Sequence, residues 1–137
     1  MKLPFVLVII VIGFSVGCGA NSAEMPSTSN SDSELTLLMR QMYEDAITVK
    51  QAILANNPLV LLNHEAVLTA QSTQPEKAQS ELYQTFVSDY LTKLKLLNKA
   101  ESLEQKVAFS NVVKSCINCH SSLCPGPLVK IDKLKWN

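Results

Sequence analysis

Five residues near the end of the chain, Cys116-Ile117-Asn118-Cys119-His120, constrain what this sequence can become more than any other stretch. Cys-x-x-Cys-His is the spacing by which a c-type haem is covalently attached. The two thiols add across the porphyrin vinyl groups as thioethers, and the imidazole that follows can turn under the ring and bind iron, which makes His120 the proximal ligand. On a helix, Cys116, Cys119 and His120 stand at i, i+3 and i+4, so all three emerge on one face. The fold must therefore present one helical face beside a space large enough for a flat macrocycle.

Other chemistries use the same residue types. A thioredoxin-like dithiol needs a preceding strand and a βαβ context, and the chain shows neither. Zinc could draw on Cys116, Cys119, His120 and Cys124, but adjacent Cys119 and His120 reach one tetrahedral ion with difficulty. No second Cys-x-x-Cys or His pair helps. A disulfide between the two motif cysteines is the third alternative.

The N-terminus bears on the choice. Met1-Lys2 precedes an apolar run, Leu3 to Val16, and then Gly17-Cys18, which reads as a secretory signal over residues 1–17 with a core short for a membrane span. Phe14-Ser15-Val16-Gly17-Cys18 resembles a bacterial lipobox, which makes Cys18 the acylated first residue of the mature chain. An ordinary signal cut near Ala20 or Ala23 is the alternative. Acyl chains supply about 0.8 kcal/mol per buried methylene, and the Ser-rich stretch Gly19 to Ser33 has the composition of a tether, so residues 18–33 read as anchor and linker. Asp is absent after Cys18, so the inner-membrane retention signal of some Gram-negative lipoproteins is missing. The expected location is extracytoplasmic, at a bacterial membrane, with the outer membrane favoured. Export agrees with haem, because c-type haem is attached outside the cytoplasm.

The precursor carries 12 basic and 12 acidic residues, and loss of Lys2 leaves a formal charge of −1. No basic stripe suggests nucleic acid.

From Ser33 the pattern is helical. Ser33 is a suitable N-cap, and Leu35, Leu38, Met39, Met42, Ala46, Val49 and Ile53 recur at helical spacing up to Asn56-Asn57. Pro58 can open a second helix through about Gln71, expected to be the most buried. Pro75 opens a third to about Asn98, with Leu82, Phe86, Tyr90, Leu94 and Leu97 as its stripe. A fourth begins near Glu101 or Ser102, carries Leu103, Val107, Val112 or Val113 and Ile117 into the motif, and is stopped by Pro125 and Pro127. The expected fold is all-α, an antiparallel up-down-up-down four-helix bundle over 34–123 with the haem motif on the last helix. Residues 124–137 form a Pro-containing tail, lying over the haem edge or over the bundle.

With this pattern the mature chain resembles the class II cytochromes c, the four-helix cytochromes c-prime and their low-spin Met/His relatives. The resemblance covers about Ser33 to His120. It rests on Cys116 to His120 and, more weakly, on Met39-Arg40-Gln41-Met42, which looks like the stretch that lies over the distal haem face. It implies one covalent haem c, with Met39 in the distal position; a leucine there leaves iron open to small gases, whereas methionine sulfur can bind it and favours the ferrous form. Two departures stand out: Leu35 replaces an arginine often found four residues earlier, and a tail follows the motif.

Met42 and His64 are rival distal ligands, and a vacant or water-filled position is a further alternative. Cys124 is the leftover thiol, read as structural. The expected function is a membrane-anchored monohaem cytochrome passing single electrons between redox partner proteins, with no group suited to substrate turnover. Homodimers through helix faces are compatible with this. The alternatives are a gas-binding or sensing haem protein and a haem-free helical lipoprotein held by zinc or a disulfide.

Overall fold

The computed structural model describes residues 32–136, so Cys18, the signal-like segment and nearly all of the tether lie outside the described residues. What is described is all-helical, without strands. Three long helices, α1 (Glu34–Leu54), α3 (Glu81–Leu97) and α4 (Gln105–Leu123), are accompanied by two single-turn helices, α2 (Pro75–Ala78) and α5 (Leu128–Ile131), and by 3-10 turns at Glu65–Leu68 and Asp132–Leu134. None of these helices is long and apolar enough to cross a membrane.

The ends of α1 follow from local chemistry. Ser33 caps it, its hydroxyl accepting from the Thr36 amide at 3.2 Å. At the other end Asn56 takes a left-handed conformation, φ 53°. The Asn57 amide then bonds Ala52 O and the Asn56 amide bonds Ile53 O, the paired bonds of a Schellman stop, with Pro58 beyond.

The second expected helix is absent. Residues 57–64 have no regular structure and only Glu65–Leu68 make a turn. The Asn98 side chain grips this segment from the end of α3, accepting from the Leu62 amide at 3.1 Å and donating to the Leu62 carbonyl at 2.7 Å. Those backbone groups are thus satisfied without a helix. Nor is the segment the most buried: Val60 and Leu61 are 68% and 73% exposed, because four consecutive apolar residues carry no period that selects a face.

The third expected helix is two. Ser80 turns the chain out of α2 with extended backbone (ψ 148°) and caps α3, accepting from the Tyr83 amide at 3.2 Å. A serine hydroxyl competes in this way with helix continuation. The buried face of α3 is Tyr83, Val87, Tyr90, Leu91, Leu94 and Leu97; it keeps Tyr90, Leu94 and Leu97 of the expected stripe, while Tyr83 and Val87 stand in place of Leu82, which is exposed, and Phe86, which is half-buried. The fourth helix starts later than its pattern suggests, leaving Leu103 97% exposed ahead of it, and it ends at Leu123, before Pro125.

The centre of the core lies between α3 and α4, which share the most extensive contact. Phe109, Val112 and Val113 of α4 pack there with the inner face of α3. The tail closes over the bundle, with Ile131 and Leu134 joining the core. Trp136 tilts against Phe109 with ring centroids 5.3 Å apart, donates to Ser110 Oγ at 2.8 Å, and lies beneath the ammonium groups of Lys50 and Lys106.

Phe109→Ala should lower unfolding free energy by about 3–5 kcal/mol, and Trp136→Ala by about 1–3 kcal/mol because the ring is only partly buried. Urea unfolding followed by circular dichroism measures both. Equal losses would mean that the tail is as integral as the core.

Candidate functional site

Cys116, Cys119 and His120 sit together in the last two turns of α4. Cys116 packs against the core cluster, and burial pushes its thiol up to about 12, with Cys119 adding to the effect. The Cys119 thiol is raised as well, by burial and then by Cys124. Both cysteines turn toward α3. Burial and then Cys119 push the Tyr83 hydroxyl up to about 12, and burial followed by Cys116 and Asp45 raises that of Tyr90.

The histidine is set differently. His120 Nδ1 lies 3.0 Å from the carbonyl oxygen of Cys124. A carbonyl only accepts, so Nδ1 carries the hydrogen and Nε2 keeps its lone pair. That tautomer is the one a metal-binding imidazole needs, held by the kind of second bond that usually fixes it. The Cys124 carbonyl is turned off the helix axis because the ring of Pro125 disfavours helical backbone in the residue before it, and Cys124 is extended, φ −154° and ψ 79°.

His120 borders two adjoining clefts. One, of about 270 Å³ and mostly apolar, is walled by Leu35, Met39, Tyr83, Cys119 and Leu123. The other, of about 440 Å³, is bordered by Met39, Arg40, Tyr43, Glu44 and Lys130. Thr36, Met39, His120 and Pro127 belong to both. Met39 on α1 and His120 on α4 are thus brought to one opening, and the face of α1 there is only half covered, Leu35, Leu38, Met39 and Met42 being partly buried.

The rival ligands are placed otherwise. Met42 packs on the core and borders neither cleft. His64 is buried with both ring nitrogens engaged, Nε2 at 2.9 Å from Asp45 Oδ2 and Nδ1 at 2.5 Å from Tyr90 Oη. Cys116, Cys119 and Cys124 are free thiols. Among the described residues no group of three or more His, Cys, Asp or Glu side chains is arranged to hold a metal ion.

The donor set matches haem c: two thiols and a free imidazole nitrogen on one helix, an apolar cleft beside them, and a thioether on the facing wall. Tyr83, and the pairing of His64 with Asp45 and Tyr90, are not singled out by sequence. Tyr90 had a place in the apolar stripe, but the pairing joins residues 19 and 26 positions apart, beyond the reach of helical spacing. No family model matches the chain, and neither does any curated protein or solved structure.

In the haem-free protein at pH 8, iodoacetamide should label exposed Cys124 first and Cys116 last. A thiol at about 12 is ionised to only roughly one part in ten thousand there. Peptide mass mapping over time checks the order; Cys116 reacting as fast as Cys124 would contradict the buried placement.

Proposed function

We propose that this protein is a monohaem c-type cytochrome of the class II kind, anchored to a membrane through Cys18, that carries single electrons between protein partners outside the cytoplasm. One observation carries the reading. On a helix bearing Cys-x-x-Cys-His, the histidine is held by Cys124 so that its free nitrogen is left to bind iron, in a cleft whose facing wall carries Met39.

In this reading Cys116 and Cys119 are the covalent anchors, His120 is the proximal ligand and Met39 the distal one. When bound, the haem supplies the one-electron couple of its iron. The chain's part would be to hold Met39 and His120 on separate helices, α1 and α4, so that little would have to move when the charge changes, and to keep water from Cys116, which packs on the core. Leu35, Tyr83 and Leu123 exclude water from the cleft, and Met39 closes the position at which a small gas would bind. Substrate turnover has no place in such a carrier.

The bundle in this reading runs up, down, up, down with an irregular second leg. Support comes from the ends of the elements. The Leu35 amide bonds Gln71 O at 2.9 Å and the Gln71 amide bonds Glu34 Oε2 at 2.9 Å, so the chain after α1 returns to its start. The loop from α3 to α4 is short, and the start of α1 meets the end of α4 around His120.

Visible spectra of the haem-loaded protein test the assignment of Met39. The ferric wild type should show the weak long-wavelength band of methionine ligation and its ferrous form should take up carbon monoxide slowly. Met39→Leu should lose the band and bind the gas rapidly. Rapid, tight binding by the wild type would favour gas sensing instead. Separately, Cys18→Ser should move the protein from the membrane pellet to the soluble fraction; an unchanged distribution would rule out the lipid anchor.

A further inference from the structure

Apart from the cleft, one buried polar cluster has no part in the reading above. His64 is 4% exposed and, with Ser115, makes up the buried polar set among the described residues. Its imidazole joins three elements: Asp45 of α1, the irregular second leg on which it lies, and Tyr90 of α3. The hydrogen placement follows from chemistry. A carboxylate only accepts, so Nε2–H donates to Asp45, and in a neutral ring Nδ1 then accepts from the Tyr90 hydroxyl. The Asp45 carboxylate is fixed in turn by Gln41, whose amide donates to Oδ1 at 2.9 Å.

The chain has a wet end and a dry end. The Asp45 side chain is 26% exposed and His64 is almost fully buried. Tyr90 is buried in the core cluster against which Cys116 packs. With that hydroxyl raised well above its ordinary range by burial first and by Cys116 and Asp45 next, Tyr90 keeps its proton. Nδ1 of His64 is the atom of the chain that accepts a hydrogen bond through a ring lone pair, to which a further proton can add. The groups facing His64 are thus Asp45 from α1 and Tyr90 from α3, with Cys116 from α4 behind Tyr90 and Lys93 acting on Cys116. Neighbouring Glu65 is exposed and faces Lys95 at 3.7 Å.

We propose that the Asp45–His64–Tyr90 chain is a proton site linked to the electron this protein carries, so that one proton enters at His64 as one electron arrives and leaves as it departs. The proposal rests on the haem reading. With haem held at Cys116, Cys119 and His120, an electron given by a partner protein would be matched by one proton passing from water to Nδ1. The new Nδ1–H then donates to Tyr90 Oη while Nε2–H stays on Asp45. Oxidation reverses each step. The physical cause is charge: reduction removes one positive charge from the site anchored at Cys116. At an effective dielectric of about 20, a unit charge about 12 Å away changes a proton affinity by roughly tenfold.

Potentiometric titration of the haem-loaded protein from pH 5 to 8 tests this. The wild-type potential should fall by about 59 mV in all as pH rises, the value of a tenfold change for one electron, with a steepest slope of about 30 mV per pH unit. His64→Gln should flatten the slope while leaving the visible spectrum unchanged. Tyr90→Phe keeps the ring and should move the pH at which the slope is centred, which secures the test should His64→Gln fold poorly. A flat wild-type profile would overturn the proposal. So would a slope that survives in His64→Gln, because the proton would then belong to the haem carboxylates, or a spectrum that changes in that variant, because His64 would then be a ligand. Failure of haem to attach at all would be recognised beforehand by its absent spectrum and would remove the underlying reading.

Discussion

One hydrogen bond, from His120 Nδ1 to the carbonyl of Cys124, organises the site. It exists because α4 stops where it does. Pro125 forces Cys124 out of helical backbone, and the Cys124 carbonyl turns to meet the His120 ring, one helical turn back. The same residue that ends the helix therefore fixes the tautomer of the imidazole and leaves Nε2 free. The motif is often treated as a linear pattern; in this protein its chemistry also depends on the four residues that follow it.

The rest of the architecture divides into a tight part and a loose part. Helices α3 and α4 share a close-packed core around Phe109, completed by Ile131, Leu134 and Trp136 of the tail. Helix α1 buries Val49 fully, and its other apolar side chains along the inner face are left half covered. That under-packing is costly in a protein with nothing to fill it. It lies where Met39 meets the cleft of His120, and a bound macrocycle would remove the cost. The buried Asp45–His64–Tyr90 chain fastens α1 and the irregular leg to α3 beside this space, so α1 is held by polar bonds where apolar contact is thin.

How far these features are legible in the sequence depends on whether they are local. The Ser33 cap and the helix stop before Pro125 are chemistry between near neighbours, and both are found where the residues place them. That Cys116, Cys119 and His120 share one helix is legible for the same reason. The run Leu59 to Leu62 is not, because it has no period and its course is decided by Asn98, 36 residues away. The break at Ser80 was open to recognition, since serine three residues before an apolar face is a cap signature, but Pro75 offered a competing start. The role of His64 needs three elements at once and has no sequence signal.

The central claim is covalent haem on Cys116 and Cys119, and the intact mass of the mature chain made together with c-type haem maturation machinery tests it most directly. The account predicts a mass raised by one haem that survives denaturation, and no such gain when both cysteines are changed to serine. A chain of unmodified mass, or one that keeps haem through denaturation without the two cysteines, would contradict it.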